Sequence, residues 1–128
     1  MPITFHPKPG MVLICDFNTG FMPPEMVKKR RVIVISPYQQ NKRGICTVVP
    51  ISTRTPDKPE DFHLRISAAK YRFLSESDDS WVKADMIYTV SLKRLDRIRV
   101  GEIFMTPCLS PDDFKAVCQS VRAYLDFR

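Results

Sequence analysis

Two β-branched segments joined by a short polar turn restrict the fold of this chain more than any other feature. Val32–Ser36 reads VIVIS and Ile45–Ser52 reads ICTVVPIS, and β-branched side chains favour strands. Asn41–Gly44 (NKRG) lies between them and is typical of a hairpin connection. The sequence therefore predicts an antiparallel pair in which the start of one strand lies beside the end of the other.

Further short strands are predicted on both sides of this hairpin. Irregular, proline-containing loops follow the first strand at residues 18–29 and the third at residues 53–61. Ser91–Asp96 is predicted to form a turn or one helical turn. Pro50 has no amide hydrogen, so its strand should end there, bulge or lie at a sheet edge. The other predicted strands are Met11–Phe17, Phe62–Ile66, Trp81–Ala84, Met86–Val90 and, as the last one, Ile98–Val100.

The C-terminal segment has a helical pattern. Ser110 is a good N-cap, Pro111 suits the first helical position, and two aspartates follow in the first turn. Apolar residues then recur at helical spacing on one face, so we predict an amphipathic helix over about residues 111–127. We expect its apolar face to pack on the sheet.

These elements predict a mainly β (α+β) fold, a small barrel or half-open sheet with a C-terminal helix. The chain has 128 residues, which fits one domain over residues 1–128, with the barrel at about 8–105. No run approaches the roughly 18 apolar residues of a membrane span. The N-terminus does not resemble a signal peptide, so we expect a cytoplasmic protein with no membrane partner.

The net charge of +6 suits a polyanionic partner such as RNA, although a soluble basic protein has the same balance. The cysteines Cys15, Cys46, Cys108 and Cys118 form no CxxC pair. Neither histidine stands at a metal-ligand spacing from them. We predict buried, reduced thiols and no metal or other cofactor.

Candidate functional residues cluster where the predicted hairpin begins and ends. Arg30 lies at the start of its first strand, five residues after Glu25, and Ser52 ends the other strand, with Thr53 next. The pairing makes Arg30 and Ser52 neighbours at one end of the sheet. The alternative is structural, with a solvated basic loop at residues 28–31 and a hydroxyl that caps a strand end.

The order of several motifs resembles the MazF/PemK toxin family. The resemblance covers about Lys8 to Val100, and the predicted helix stands where the family has one. In three places this chain departs from the family's usual residues: Arg31 replaces proline, Ser52 replaces the frequent threonine, and Met86 replaces glutamine. The matching segments are Lys8–Leu13, Asp16–Phe17, Glu25 with Arg30, Val32–Ser36, Val48–Ser52 and Asp85–Leu95.

This resemblance implies an SH3-like β-barrel that works as a homodimer and cleaves single-stranded RNA without a metal. The products would carry a 2′,3′-cyclic phosphate, and a cognate antitoxin would bind across the RNA site. Arg30 and Ser52 match the family's catalytic pair, and Glu25 matches a supporting acid. Thr53 is the alternative hydroxyl if the strand bulges at Pro50.

RNA contacts are predicted in the two long loops beside this pair. Phe21 is a candidate base-stacking platform, as are Phe62 and Tyr71, although all three suit packing equally. Two other hypotheses remain: a non-catalytic barrel that binds nucleic acid or protein, and a zinc nuclease that uses the cysteines. The predicted phosphate-binding residues are Lys28, Lys29, Arg54 and Lys58.

Overall fold

The computed structural model describes residues 2–74 and 80–126, and these form a mainly antiparallel sheet with a C-terminal helix. Single 3-10 turns lie at Ala68–Lys70 and Leu92–Arg94. The strands are β1 Val12–Asp16, β2 Lys29–Val34, β3 Ile45–Ser52, β4 His63–Ile66, β5 Ser80–Lys83, β6 Tyr88–Ser91, β7 Leu95–Asp96, β8 Ile98–Val100 and β9 Ile103–Met105; the helices are α1 Tyr38–Asn41 and α2 Pro111–Leu125.

The predicted mainly β class is confirmed, but the sheet is not a closed barrel. Its strands follow the order β4-β5-β3-β2-β1-β7, β6 also pairs with β3, and β8 and β9 form a separate hairpin. Within the described residues, the terminal strands β4 and β7 do not pair with each other. The sheet forks at β3, because two strands pair with different parts of the same edge of β3.

Pro50 lies inside β3 and marks this fork. On one side it pairs with Val32 of β2. On the other side, β6 pairs with β3 as far as Val48, and β5 pairs with it from Ile51 onward. The prediction that the strand ends at Pro50 or lies at an edge is therefore wrong. The missing amide falls in the gap between two partners, where the ladder needs no donor.

Alternate residues of the strands fill two apolar clusters on opposite faces of the sheet. The helix-side face carries Val12, Ile33, Val49 and Ile51, which pack with Val117 of α2. The opposite face carries the buried side chains Leu13, Cys15, Phe17, Val32, Val34, Cys46, Val48, Val90 and Leu95. Both faces of β1 and β2 are thus covered, which explains why β2 is a continuous apolar run from Val32 onward.

Helix α2 is capped and anchored at its N-terminus. The Ser110 hydroxyl accepts a hydrogen bond from the Asp113 amide at 3.2 Å, as its sequence predicts. Lys70 pairs with Asp113 at 2.9 Å, and the Tyr71 hydroxyl donates to the same carboxylate. Burial tends to raise the pKa of Asp113, but these two partners hold it below its ordinary value. The predicted helix end at Phe127 lies outside the described residues.

Three short strands or helices were not predicted from the sequence. These are α1, β9 and β7, the last of which lies within the segment predicted as a turn. All are four residues or shorter, and such elements carry too few residues for a periodic signal. Within residues 2–74 and 80–126, no helix has the length and apolar character needed to cross a membrane.

The four thiols differ in exposure, so we expect them to react at different rates with a water-soluble disulfide reagent. Burial raises the pKa of Cys15 to about 12 and that of Cys46 to about 11, whereas Cys108 is exposed. Native protein at pH 8 should show a fast phase from Cys108 and a slower one from half-buried Cys118. Cys15 and Cys46 should react only after unfolding.

The matched control is Cys108→Ser, which should remove the fast phase and leave the rest unchanged. Four fast thiols in native protein would contradict the burial of Cys15 and Cys46. The sequence prediction that all four cysteines are buried is wrong for Cys108, which lies in the middle of the chain segment between β9 and α2.

Candidate functional site

The register of the β2–β3 hairpin places Arg30 and Ser52 at the same end of the sheet. The last recorded pair of this ladder is Arg31 with Ile51, and Arg30 and Ser52 are the next residues outward. Neighbouring residues of a strand point to opposite faces, so Arg30 and Ser52 share one face while Arg31 and Ile51 share the other. The hairpin predicted from the sequence therefore brings the two residues together at one end of the sheet.

A cleft of about 650 Å³ opens at this end of the sheet. Strands β2 and β3 form its centre, and the β1–β2 loop and the β5–β6 connection form its sides. Among the described residues, its lining includes five cationic side chains and no carboxylate, which favours an anionic ligand. The lining residues are Ile14, Pro24, Met26, Lys29, Arg30, Arg31, Ile51, Ser52, Thr53, Arg54, Lys83 and Met86.

The two central polar groups keep part of their hydrogen-bonding capacity. Arg30 is half-buried, and its Nη1 donates to the Lys29 carbonyl at 3.3 Å. The Ser52 hydroxyl accepts from the Arg54 amide at 3.1 Å, and the hydroxyl hydrogen is not used in that bond. Thr53 is exposed beside it and also lines the cleft. The site thus offers a guanidinium fork and two hydroxyls.

Glu25 is held outside this cleft. Its Oε1 accepts a hydrogen bond from the Met22 amide at 2.9 Å, which closes a turn in the β1–β2 loop. Its neighbours Pro24 and Met26 line the cleft, and the Tyr88 hydroxyl accepts from the Met26 amide at 2.9 Å. The structure therefore gives Glu25 a part in shaping the loop that borders Arg30.

The other predicted RNA contacts separate into two groups. Lys29 and Arg54 line the cleft, whereas Lys28 and Lys58 are exposed outside it. The Phe21 ring packs against the rings of Phe17 and Tyr88 and beneath the Arg94 guanidinium. The sequence left two interpretations of Phe21, base stacking and packing, and its contacts support packing.

The same holds for the two other aromatic candidates. The Phe62 ring contacts His63 and Tyr124 at centroid distances of 4.5 and 5.1 Å, and Tyr71 anchors α2. The His63 Nδ1 atom accepts from the Glu60 amide at 3.0 Å, and its Nε2 lies 4.0 Å from Asp85. These rings hold loops and helix together, outside the cleft.

Sequence reasoning missed Arg31, Lys83 and Met86 as cleft residues. Arg31 lies between Ile14 and Ile51 on the helix-side face. Its Nε is buried without a hydrogen-bond partner among the described residues, and burial lowers the pKa of the side chain. The run of four basic residues contained this signal, because strand alternation sends one of two adjacent arginines to each face.

The described residues include no group of three or more His, Cys, Asp or Glu side chains placed to hold a metal ion. The zinc-nuclease hypothesis therefore gains no ligand set from this part of the chain. What the cleft offers is fixed positive charge, hydrogen-bond donors and two hydroxyl groups. These groups are suited to binding a phosphodiester and stabilising negative charge on it.

The fold has relatives among solved structures. MazF from Deinococcus radiodurans superposes with a TM-score of 0.69 and 18% identity, covering 96% of this chain and 99% of that one. An endoribonuclease from Mycobacterial species, solved in complex with its cognate antitoxin, gives a TM-score of 0.68 at 15% identity, covering 95% and 97% of the two chains. At these identities the likeness establishes the fold.

Sequence comparison extends this result. The uncharacterized protein YifN of Escherichia coli (strain K12) is 33% identical over 146 aligned positions, covering 96% of this chain and 97% of that protein. A protein of Haemophilus influenzae is 32% identical and covers 77% of this chain and 76% of its own length. The sequence profile of the PemK-like, MazF-like toxins of type II toxin–antitoxin systems matches residues 8–125. The chain therefore belongs to the PemK-like, MazF-like toxin family of type II toxin–antitoxin systems.

Proposed function

We propose that the protein is an endoribonuclease toxin that cleaves single-stranded RNA without a metal ion. The observation that carries this proposal is that Arg30 and Ser52 line the same cleft, whose described lining has five cationic side chains and no carboxylate. The family supplies the context of a toxin–antitoxin pair. A solved structural relative is an endoribonuclease by its name, which agrees with the chemistry that these residues can perform.

The proposed reaction uses the RNA's own 2′-hydroxyl as the nucleophile. Its oxygen attacks the adjacent phosphorus, the bond to the 5′-oxygen breaks, and a 2′,3′-cyclic phosphate and a 5′-hydroxyl result. One proton leaves the 2′-oxygen and one is gained by the departing 5′-oxygen. The protein must hold the attack in line and stabilise charge on the non-bridging oxygens.

Arg30 and Ser52 divide the stabilising role in this proposal. The Arg30 fork would bind two phosphate oxygens at once. Ser52 would donate its unused hydroxyl hydrogen to a non-bridging oxygen, with Thr53 as the alternative donor. Glu25 would act through the loop that it closes, because its carboxylate lies outside the cleft.

The proposed partners follow from the family and from the charge of the cleft. A cognate antitoxin would place an acidic segment across the five cations and so exclude RNA. Two of the structural relatives were solved with an antitoxin, the Mycobacterial endoribonuclease and MazF from Deinococcus radiodurans. We further propose a homodimer that works in the cytoplasm.

A second candidate function is a non-catalytic barrel that binds nucleic acid or protein through the same cleft. Arg31 and Met86, two positions where the chain departs from the family's usual residues, both line this cleft. A chain that has lost catalysis but kept its charge would bind RNA and leave it intact. The two functions therefore differ in cleavage and agree in binding.

The deciding experiment incubates the purified protein with a defined set of single-stranded RNAs in EDTA. Cleavage should yield fragments with 2′,3′-cyclic phosphate ends, and one 2′-deoxy substitution at the cleaved position should block it. Intact RNA across a broad set of sequences, with binding retained, would contradict the nuclease and favour the non-catalytic barrel. Cleavage that EDTA abolishes would contradict the metal-independent mechanism.

A further inference from the structure

A second basic cleft lies beside the first and has no part in the proposed chemistry. It has a volume of about 550 Å³ and forms between the ends of β1 and β2, the β6–β7 connection and the β8–β9 hairpin. Five cationic side chains line it: Lys29, Lys93, Arg94, Arg97 and Arg99. Two carboxylates are also present, so positive charge dominates.

The two clefts are continuous across the sheet. Ile14 and Lys29 line both of them. Ile14 pairs with Arg31 on one side and with Asp96 on the other, so these three residues form one row across β2, β1 and β7. An extended ligand that leaves the first cleft along this row passes over β1 and enters the second cleft.

An exposed aromatic side chain stands at the far end of the second cleft. Phe104 is 48% exposed and lies directly opposite Arg99 in the β8–β9 hairpin. The guanidinium carbons of Arg97 and Arg99 lie 4.6 and 5.7 Å from the centroid of its ring. An exposed aromatic ring with guanidinium groups close to it is a surface on which unpaired bases can stack, with phosphates bound by nearby cations.

The two carboxylates of this cleft, and Arg94, already interact with other groups of the protein. Arg94 donates to the carbonyls of Asp16 and Thr19 at 3.0 and 2.9 Å, so it holds the β1–β2 loop. An Asp16 oxygen accepts from the Asn18 amide at 2.8 Å. Burial tends to raise the pKa of Asp96, but the Arg97 amide and charge keep it below its ordinary value. Lys29, Lys93, Arg97 and Arg99 remain as exposed cations.

We propose that this second cleft is a binding subsite for single-stranded RNA, in which a base stacks on Phe104 and Arg97 and neighbouring phosphates contact Lys29 and Lys93. The proposal rests on the proposed function, since it extends the path of the same substrate.

The test measures binding of fluorescein-labelled 2′-O-methyl oligouridylates, which lack the nucleophilic hydroxyl and cannot be cleaved. One probe has about 4 nucleotides and the other about 12, the range of site sizes for small single-strand-binding barrels. The variant combines Arg97→Ala with Phe104→Ala. The matched control combines Lys42→Ala with Tyr38→Ala, which removes another exposed cation–aromatic pair, 5.0 Å apart, outside both clefts.

We expect the variant to bind the long probe about tenfold more weakly and the short probe within about twofold of wild type. The control should bind both probes like wild type. The single substitution Phe104→Trp keeps an aromatic ring at this position and should retain wild-type affinity for the long probe.

Unchanged affinity for the long probe would overturn the subsite. So would a variant with unchanged RNA affinity but a changed oligomeric state in light scattering, which would assign this surface to protein contact. A failure of the proposed nuclease activity can be distinguished from a failure of the subsite, because the probes report binding alone. If the variant loses affinity for the long probe alone but the wild-type protein cleaves no RNA, the subsite stands and the proposed catalytic function fails.

Discussion

Replacing Arg30 with alanine is expected to lower the rate of RNA cleavage by roughly 10²–10³-fold, the usual loss when one pre-organised donor to a developing oxyanion is removed. Arg30 and Ser52 both line the cleft at the end of the β2–β3 ladder, together with four other cationic side chains. Those cations should keep most of the RNA affinity, so the loss should fall mainly on the catalytic rate. Single-turnover cleavage of a defined RNA, with binding measured on a 2′-O-methyl analogue, separates the two effects.

Two variants make this result specific. Arg30→Lys keeps the charge but loses the fork that binds two oxygens, so its rate should lie between those of wild type and Arg30→Ala. Arg43→Ala removes an equal charge from the turn before β3, outside the cleft, and should cleave like wild type. If Arg30→Ala cleaved as fast as Arg43→Ala, Arg30 would have no catalytic role and the proposed mechanism would fail.

The largest effect on stability is expected from Phe17→Ala. Phe17 is 0% exposed and is among the largest fully buried side chains of the described residues. Its ring lies 5.1 Å from that of Phe21 and 5.0 Å from that of Tyr88, centroid to centroid. Truncating a buried phenylalanine usually lowers the free energy of unfolding by about 3–5 kcal/mol. Denaturant unfolding monitored by circular dichroism would measure this loss.

Phe17→Ala should also affect the cleft that contains Arg30. Tyr88 accepts the Met26 amide hydrogen bond, and Met26 borders the cleft beside Arg30. Loosening the Phe17 cluster should therefore reduce cleavage at temperatures where the variant is still folded. Phe104→Ala is the matched control, because Phe104 is 48% exposed and its loss should cost less than about 1 kcal/mol. Equal losses for the two variants would contradict the assigned core.

The sequence predicted the parts of the fold that have strong local signals. The β2–β3 hairpin follows from its β-branched runs, and α2 follows from Ser110 and Pro111 at its start. The hairpin also sufficed to predict that Arg30 and Ser52 lie at the same end of the sheet, where both line one cleft. The resemblance to the toxin family, confirmed by the match over residues 8–125, added the expected toxin–antitoxin context.

Features that depend on distant contacts were not predicted. The fork at β3 depends on β5 and β6, which follow it by some thirty residues, and Pro50 alone does not reveal two partners. The position of Glu25 outside the cleft depends on a hydrogen bond within its loop. The second cleft needs Phe104 and Lys29 together, and strand pairing through β1 and β7 is what brings these segments near each other.

The pairing of Ile14 with Asp96 has a consequence for biosynthesis. A ribosome releases β1 and β2 early, yet the walls of the first cleft extend to Met86 and those of the second to Phe104. Chains emerge from the N-terminus at about 5–20 residues per second, so a nascent chain carries no assembled cleft for most of its translation. On the proposed function, a nascent chain would have no assembled site for cleaving RNA until the segment up to Met86 has left the ribosome.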